Sequence, residues 1–102
     1  MSRLSFGTLE FSGPTGSCRF DSLAGHALQA LNLLRRAPRR GITVTEIVDC
    51  LAERGYLFLG KSSNSVCSSG VLQPFLRIGV LDHPPGRSHL YVWVSWPAIR
   101  AL

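Results

Sequence analysis

Apolar positions recur with a helical period through the middle of the chain and with a period of two towards its ends. Leu23, Ala27, Leu31 and Leu34 share one stripe of "LAGHALQALNLLRRA". They predict a first helix, capped by Asp21 or Ser22 and ended by Pro38. Ile42 to Val44 reads as a short extended segment. Ile47, Cys50 and Leu51 make a second helical stripe. Thr43 and Glu46 have the spacing of a capping box, and Gly55 stands where a C-cap glycine belongs. A third helix is predicted over "SSNSVCSSGVLQPFLRIG", with Ser62, Ser63 or Asn64 as its cap. Val66, Val71, Leu72, Phe75 and Leu76 supply its apolar contacts, while Ser65, Ser68 and Ser69 face outward. Pro74 removes a backbone donor, so this helix either kinks there or restarts with Pro74 in the first turn of a second piece.

Towards the C-terminus, "IGVLDH", "PPGRS" and "HLYVWV" read as a hairpin around a type II turn at Pro85-Gly86. Leu90, Val92 and Val94 alternate with Tyr91 and Trp93, the pattern of a half-buried strand. "SWPAIRAL" reads as a short helical or irregular tail. At the other end, "RLSFGTLEF" reads as a strand or short hairpin, with Leu4 and Phe6 on one face and Leu9 and Phe11 on the other. "SGPTGS" reads as a loop. An uncovered apolar strand attracts pairing, so the N-terminal strand is expected to pack on the domain or to pair with a partner chain, as in a homodimer. The chain thus divides into an arm over 1–20, a helical and hairpin domain over 21–94 and a tail over 95–102.

The stretch from Gly55 to Ser62, "GYLFLGKS", fits the letters of a phosphate-binding loop, G-x-x-x-x-G-K-[ST]. That chemistry needs a strand before the first glycine and a helix after the last residue. Here a predicted helix precedes Gly55, and four bulky apolar residues stand where backbone N–H groups must reach phosphate. The stretch therefore reads as a helix stop, an apolar connector and a turn into the third helix. No cofactor is expected.

The length of 102 residues suits one domain with one modest core. The net charge is +5, and ten of the eleven basic residues are arginine. Arginine favours phosphate and guanine edges, which points to an anionic partner, although GC-rich coding produces the same bias. Arg35, Arg36, Arg39 and Arg40 in "RRAPRR" either grip phosphates or form a solvated loop complementing a helix dipole. Cys18, Cys50 and Cys67 are odd in number and far apart, and His26, His83 and His89 show no ligand spacing with them. A disulfide framework and a metal site are not expected, and a reducing intracellular compartment is. No apolar run reaches about 18 residues, so no membrane span is expected. "MSRLSFGTLEF" lacks the apolar region of a signal peptide. Cys67 reads as a small core residue, and the scattered carboxylates and histidines form no catalytic constellation, so an enzyme is not expected.

The order of helix, short strand, helix, connector, helix and hairpin resembles a winged helix-turn-helix DNA-binding domain over Asp21 to Val94. "TVTEIVDCLAERG", "SSNSVCSSGVLQPFLRIGVLDH" and "PPGRSHLYVWV" carry the resemblance. "ITVTEIVDCLAERGYLFLGKSSNSV" is also loosely similar to the HARE-type helix-turn-helix. Pro74 and the N-terminal arm depart from the usual pattern. The resemblance implies an α+β fold: a three-helix core, a C-terminal antiparallel β-hairpin wing and an extra N-terminal strand or hairpin. It implies that the third helix enters the major groove of double-stranded DNA with Lys61, Ser63, Asn64, Ser65 and Ser68. The wing would offer Arg87 and His89 to the minor groove or backbone, with the Arg35–Arg40 run on phosphates. The expected role is a small transcriptional regulator or DNA-recognition module. The alternative is a protein-contact module, since fold does not dictate function. Exposure of Phe6, Phe11, Trp93 or Trp96 would favour protein contact, and a one-sided basic face joining Lys61, Arg87 and the arginine run would favour DNA.

Overall fold

The computed structural model describes residues 7–59 and 62–102. Leu4, Phe6, Gly60 and Lys61 lie outside them, and with them the expectations placed on those side chains. The chain forms an α+β fold with two small antiparallel sheets.

Helix α1, Ala24–Arg36, buries Ala24, Ala27, Ala30, Leu31 and Leu34. The expected side-chain cap is not formed. Leu23 holds the N-cap position without a side-chain bond. Asp21 instead accepts the Ala24 N–H on its carbonyl at 3.2 Å and the Thr8 hydroxyl on its carboxylate at 2.6 Å. Two residues, β3 (Ile42–Thr43), lead into α2 (Val44–Glu53). Here the capping box is present: the Glu46 N–H donates to Thr43 Oγ1 at 3.2 Å, and the Thr43 N–H donates to the Glu46 carboxylate at 3.0 Å. The other end closes as a glycine stop. Tyr56 N–H reaches the Leu51 carbonyl at 2.8 Å and Gly55 N–H the Ala52 carbonyl at 3.0 Å, with Gly55 at φ 87°.

Three segments run on as one rod: α3 (Ser63–Cys67), a π-helical turn (Ser68–Leu72) and α4 (Gln73–Arg77). Ser62 is the cap, its hydroxyl accepting the Ser65 N–H at 3.2 Å. Pro74 falls in the first turn of α4. It can donate no bond one turn back, and its ring crowds the carbonyl there, so the rod takes up the wider π turn just before it.

Strands β4 (Leu81–Asp82) and β5 (Leu90–Trp93) form the C-terminal hairpin, and β3 joins it in the order β3-β5-β4. Arg87 N–H donates to the Pro84 carbonyl at 3.0 Å, and Gly86 has φ 72°, as the type II reading requires. The expected alternation along β5 fails at its start, because Leu90 and Tyr91 are both buried. β5 is the central strand, and the backbone at Gly41 lies against Leu90 and Val92, so the second face is covered as well.

The arm is a hairpin, β1 (Leu9–Gly13) and β2 (Gly16–Phe20). Of the expected loop "SGPTGS", only Pro14 and Thr15 turn. The tail is not helical or irregular: Ala98–Ala101 is strand β6, paired antiparallel with β1. The second sheet therefore has the order β2-β1-β6, and among the described residues both edges of β1 are taken. Phe11, Phe20 and Phe75 meet with ring centroids 5.2–5.4 Å apart, joining this sheet to α4 in one core.

Candidate nucleic-acid interface

The outward face of the third helical rod is a row of small neutral polar side chains. Asn64, Ser65, Ser68, Ser69 and Gln73, with Val44 from the start of α2, line an open depression of about 440 Å³. Their spacing is the reason: residues three to four apart share one helix face. The face is held rather than loose. Asn64 Nδ2 donates to Thr45 Oγ1 on α2 at 2.9 Å, and the Ser69 hydroxyl donates back to the Ser65 carbonyl at 2.7 Å.

The sheet brings the hairpin loop to the same neighbourhood. Thr43 pairs with Leu90, so the start of α2 lies beside the end of the loop that carries Arg87 and His89. That loop is closed at its base, where His83 Nδ1–H donates to the Leu90 carbonyl at 2.8 Å and its ring packs on Tyr91. Arg87 and His89 are both exposed. The N-terminus of α2 is thus flanked by the polar helix face through Asn64–Thr45 and by the loop through Thr43–Leu90.

The sequence-predicted residues separate into groups. Asn64, Ser65 and Ser68 lie together on the depression. Ser63 does not: its hydroxyl donates to the Phe58 carbonyl at 3.2 Å and ties the helix start to the connector. The connector is fixed from the other side by His26, whose Nε2–H donates to the Leu57 carbonyl at 2.7 Å. Two side chains of the arginine run have partners of their own within the fold. The Arg35 guanidinium lies over the Trp96 ring, 5.4 Å from its centroid, whereas Arg40 acts on Glu46 at the head of α2. Arg36 and Arg39 are exposed. Lys61 lies outside the described residues. Val44, Thr45, Ser69 and Gln73 were missed. The step of four from Ser65 to Ser69 to Gln73 was a readable signal, but the reach of Thr45 to Asn64 depends on helix packing.

Glu46 is held below its ordinary value of 4.5, first by the Thr43 N–H on its carboxylate, with further help from the Thr43 hydroxyl and the Arg40 charge. Burial pushes the Cys67 thiol up to about 12 and raises that of Cys18. The phosphate-loop letters at Gly55 meet the wrong context, since Gly55 closes a helix rather than following a strand. Among the described residues, no cluster of three or more His, Cys, Asp or Glu could hold a metal, and no helix is long and apolar enough to cross a membrane. No protein-family model, curated protein or solved structure matches this chain.

Proposed function

We propose that the chain is a winged-helix module that binds double-stranded DNA, in the manner of a small transcriptional regulator or recognition module. One observation carries the reading. The neutral face of Asn64, Ser65, Ser68, Ser69 and Gln73 and the loop that carries Arg87 and His89 flank one helix start. Small side chains let a helix approach base edges closely, and amides and hydroxyls match their donors and acceptors. The loop supplies charge for the backbone beside the groove. The strand order β3-β5-β4, with α2 following β3 directly and the third rod leading into β4, supports this reading.

The test is fluorescence anisotropy on duplex DNA across a salt series. Arg87→Ala should weaken binding to all sequences alike and lower the salt slope by about one unit. Asn64→Ala should cost about 1–3 kcal/mol at one base position and little elsewhere.

A protein-contact role is the second reading, and a specific observation favours it. Trp93 and Trp96 are 38% and 40% exposed, with Val94, Ile99 and Leu102 also exposed beside them in sequence. Aromatic surface of this kind marks interfaces. Phe11, by contrast, is fully buried and lends it nothing. If the wild type binds no duplex even at low salt, the DNA reading fails and protein contact takes its place.

A further inference from the structure

The Asn64–Thr45 bond has a property that bears on sequence recognition. Both residues are exposed, so water competes for the bond and it adds little to stability. Its effect is on freedom. An unrestrained Asn samples several rotamers, and ordering such a side chain at an interface carries an entropic cost. Here one Nδ2 hydrogen is committed to Thr45 Oγ1 at 2.9 Å, across two different helices. What remains is the second Nδ2 hydrogen and the Oδ1 acceptor. With the hydrogen anti to Oδ1 committed to Thr45, the syn hydrogen and Oδ1 stand side by side, the pair that adenine N7 and N6–H require in the major groove. Val44 lines the same depression, and an aliphatic side chain there suits the C5-methyl group of a thymine.

On the reading that this face binds DNA, we infer that Asn64 reads an adenine in the major groove and that Thr45 is its positioning residue. Thr45 touches no base in this arrangement. It biases the Asn64 amide towards one rotamer, so that less ordering remains to be done when the bidentate contact forms. The favoured site therefore contains an A·T pair at one position, and the preference depends on a hydroxyl that lies on the neighbouring helix.

Three proteins test this: wild type, Thr45→Val, which replaces the hydroxyl by a methyl of similar shape, and Thr45→Ser, which keeps the hydroxyl. Anisotropy is measured on duplexes in which each base pair is varied in turn. In wild type one position should prefer adenine by roughly tenfold. Thr45→Val should lose about 2- to 10-fold of that preference, the ordering cost of one side chain. Thr45→Ser should keep it, and the salt slope should stay the same in all three. Without DNA, the NMR order parameter of the Asn64 side-chain amide should fall in Thr45→Val and not in Thr45→Ser. An unchanged order parameter in Thr45→Val overturns the positioning role whatever the DNA data show. A preference for adenine that survives Thr45→Val intact overturns it as well. Failure of wild type to bind any duplex, with the order parameter behaving as expected, overturns the base-reading role and the DNA reading together, and leaves the Asn64–Thr45 bond as a property of the free protein.

Discussion

Phe11 on β1 meets Phe75 on α4 edge to face, with ring centroids 5.2 Å apart, and both side chains are fully buried. The N-terminal hairpin is therefore part of the core and not an appendage. Phe11→Ala removes one member of a three-ring cluster and leaves a cavity. The expected loss is about 3–5 kcal/mol, a large share of the roughly 5–15 kcal/mol available to a domain. Urea denaturation followed by far-UV circular dichroism measures it. An unchanged midpoint would mean that the arm does not support the helices.

The turn of that hairpin caps the far end of the helical rod. Thr15 N–H donates to the Ile78 carbonyl at 3.1 Å, and the Thr15 hydroxyl donates to the Arg77 carbonyl at 2.6 Å. Helix ends leave such carbonyls without partners, so Thr15→Val should cost about 1 kcal/mol. Gly13 sits against Ile78 so closely that an added Cβ would collide with its carbonyl oxygen. Because backbone must move to relieve that contact, Gly13→Ala should cost more, about 1–3 kcal/mol. Thermal unfolding of the two variants should rank them in this order, and the reverse ranking would contradict it.

The capping box has a pH signature. Glu46 has its pKa lowered in the folded chain, chiefly by the Thr43 N–H. Its contribution is present above the unfolded carboxylate value and is lost as pH falls through the lower folded value. Stability should therefore decline on acidification below about pH 4.5, the ordinary value. Glu46→Gln keeps an acceptor for the Thr43 N–H but cannot titrate. Its acid limb should be shallower than that of wild type, as read from denaturant midpoints between neutral and acidic pH. Parallel limbs would remove Glu46 from the account.

Cys67 is fully buried, with its thiol pushed up to about 12 by desolvation, and Cys18 is buried and shifted the same way. Thiolate is the reactive form. Neither should react with a thiol-specific disulfide reagent in the native protein at mildly alkaline pH, and both should react at once in denaturant. Cys50 is half-buried and should be labelled first. Peptide mapping after timed quenching separates the three, and early labelling of Cys67 would place it at an accessible surface.

Local signals were legible along the chain where a few neighbouring residues decide the conformation. The capping box at Thr43 and Glu46, the glycine stop at Gly55 and the Pro85-Gly86 turn depend on hydrogen bonds spanning three to five residues, and all three are formed. The helical stripes located α1, α2 and the third rod for the same reason, since each helix buries residues on its own repeating face. Serine and asparagine on the outer face of that rod could likewise be read from spacing. Contacts between distant segments were not legible. "SWPAIRAL" carries no strong strand pattern, and it becomes β6 because β1, nearly the whole chain away, offers it an edge. The loop reading of "SGPTGS" failed because a two-residue turn is docked on the carbonyls of Arg77 and Ile78. The arginine run was one group in sequence, yet packing set Arg35 on Trp96 and Arg40 near Glu46. The same distinction governs the candidate site. The residue types on the helix face were written in the sequence, whereas the Asn64–Thr45 bond and the pairing of Thr43 with Leu90 required two helices and a sheet to meet, and such pairings are chosen by burial across the whole chain rather than by any local stretch.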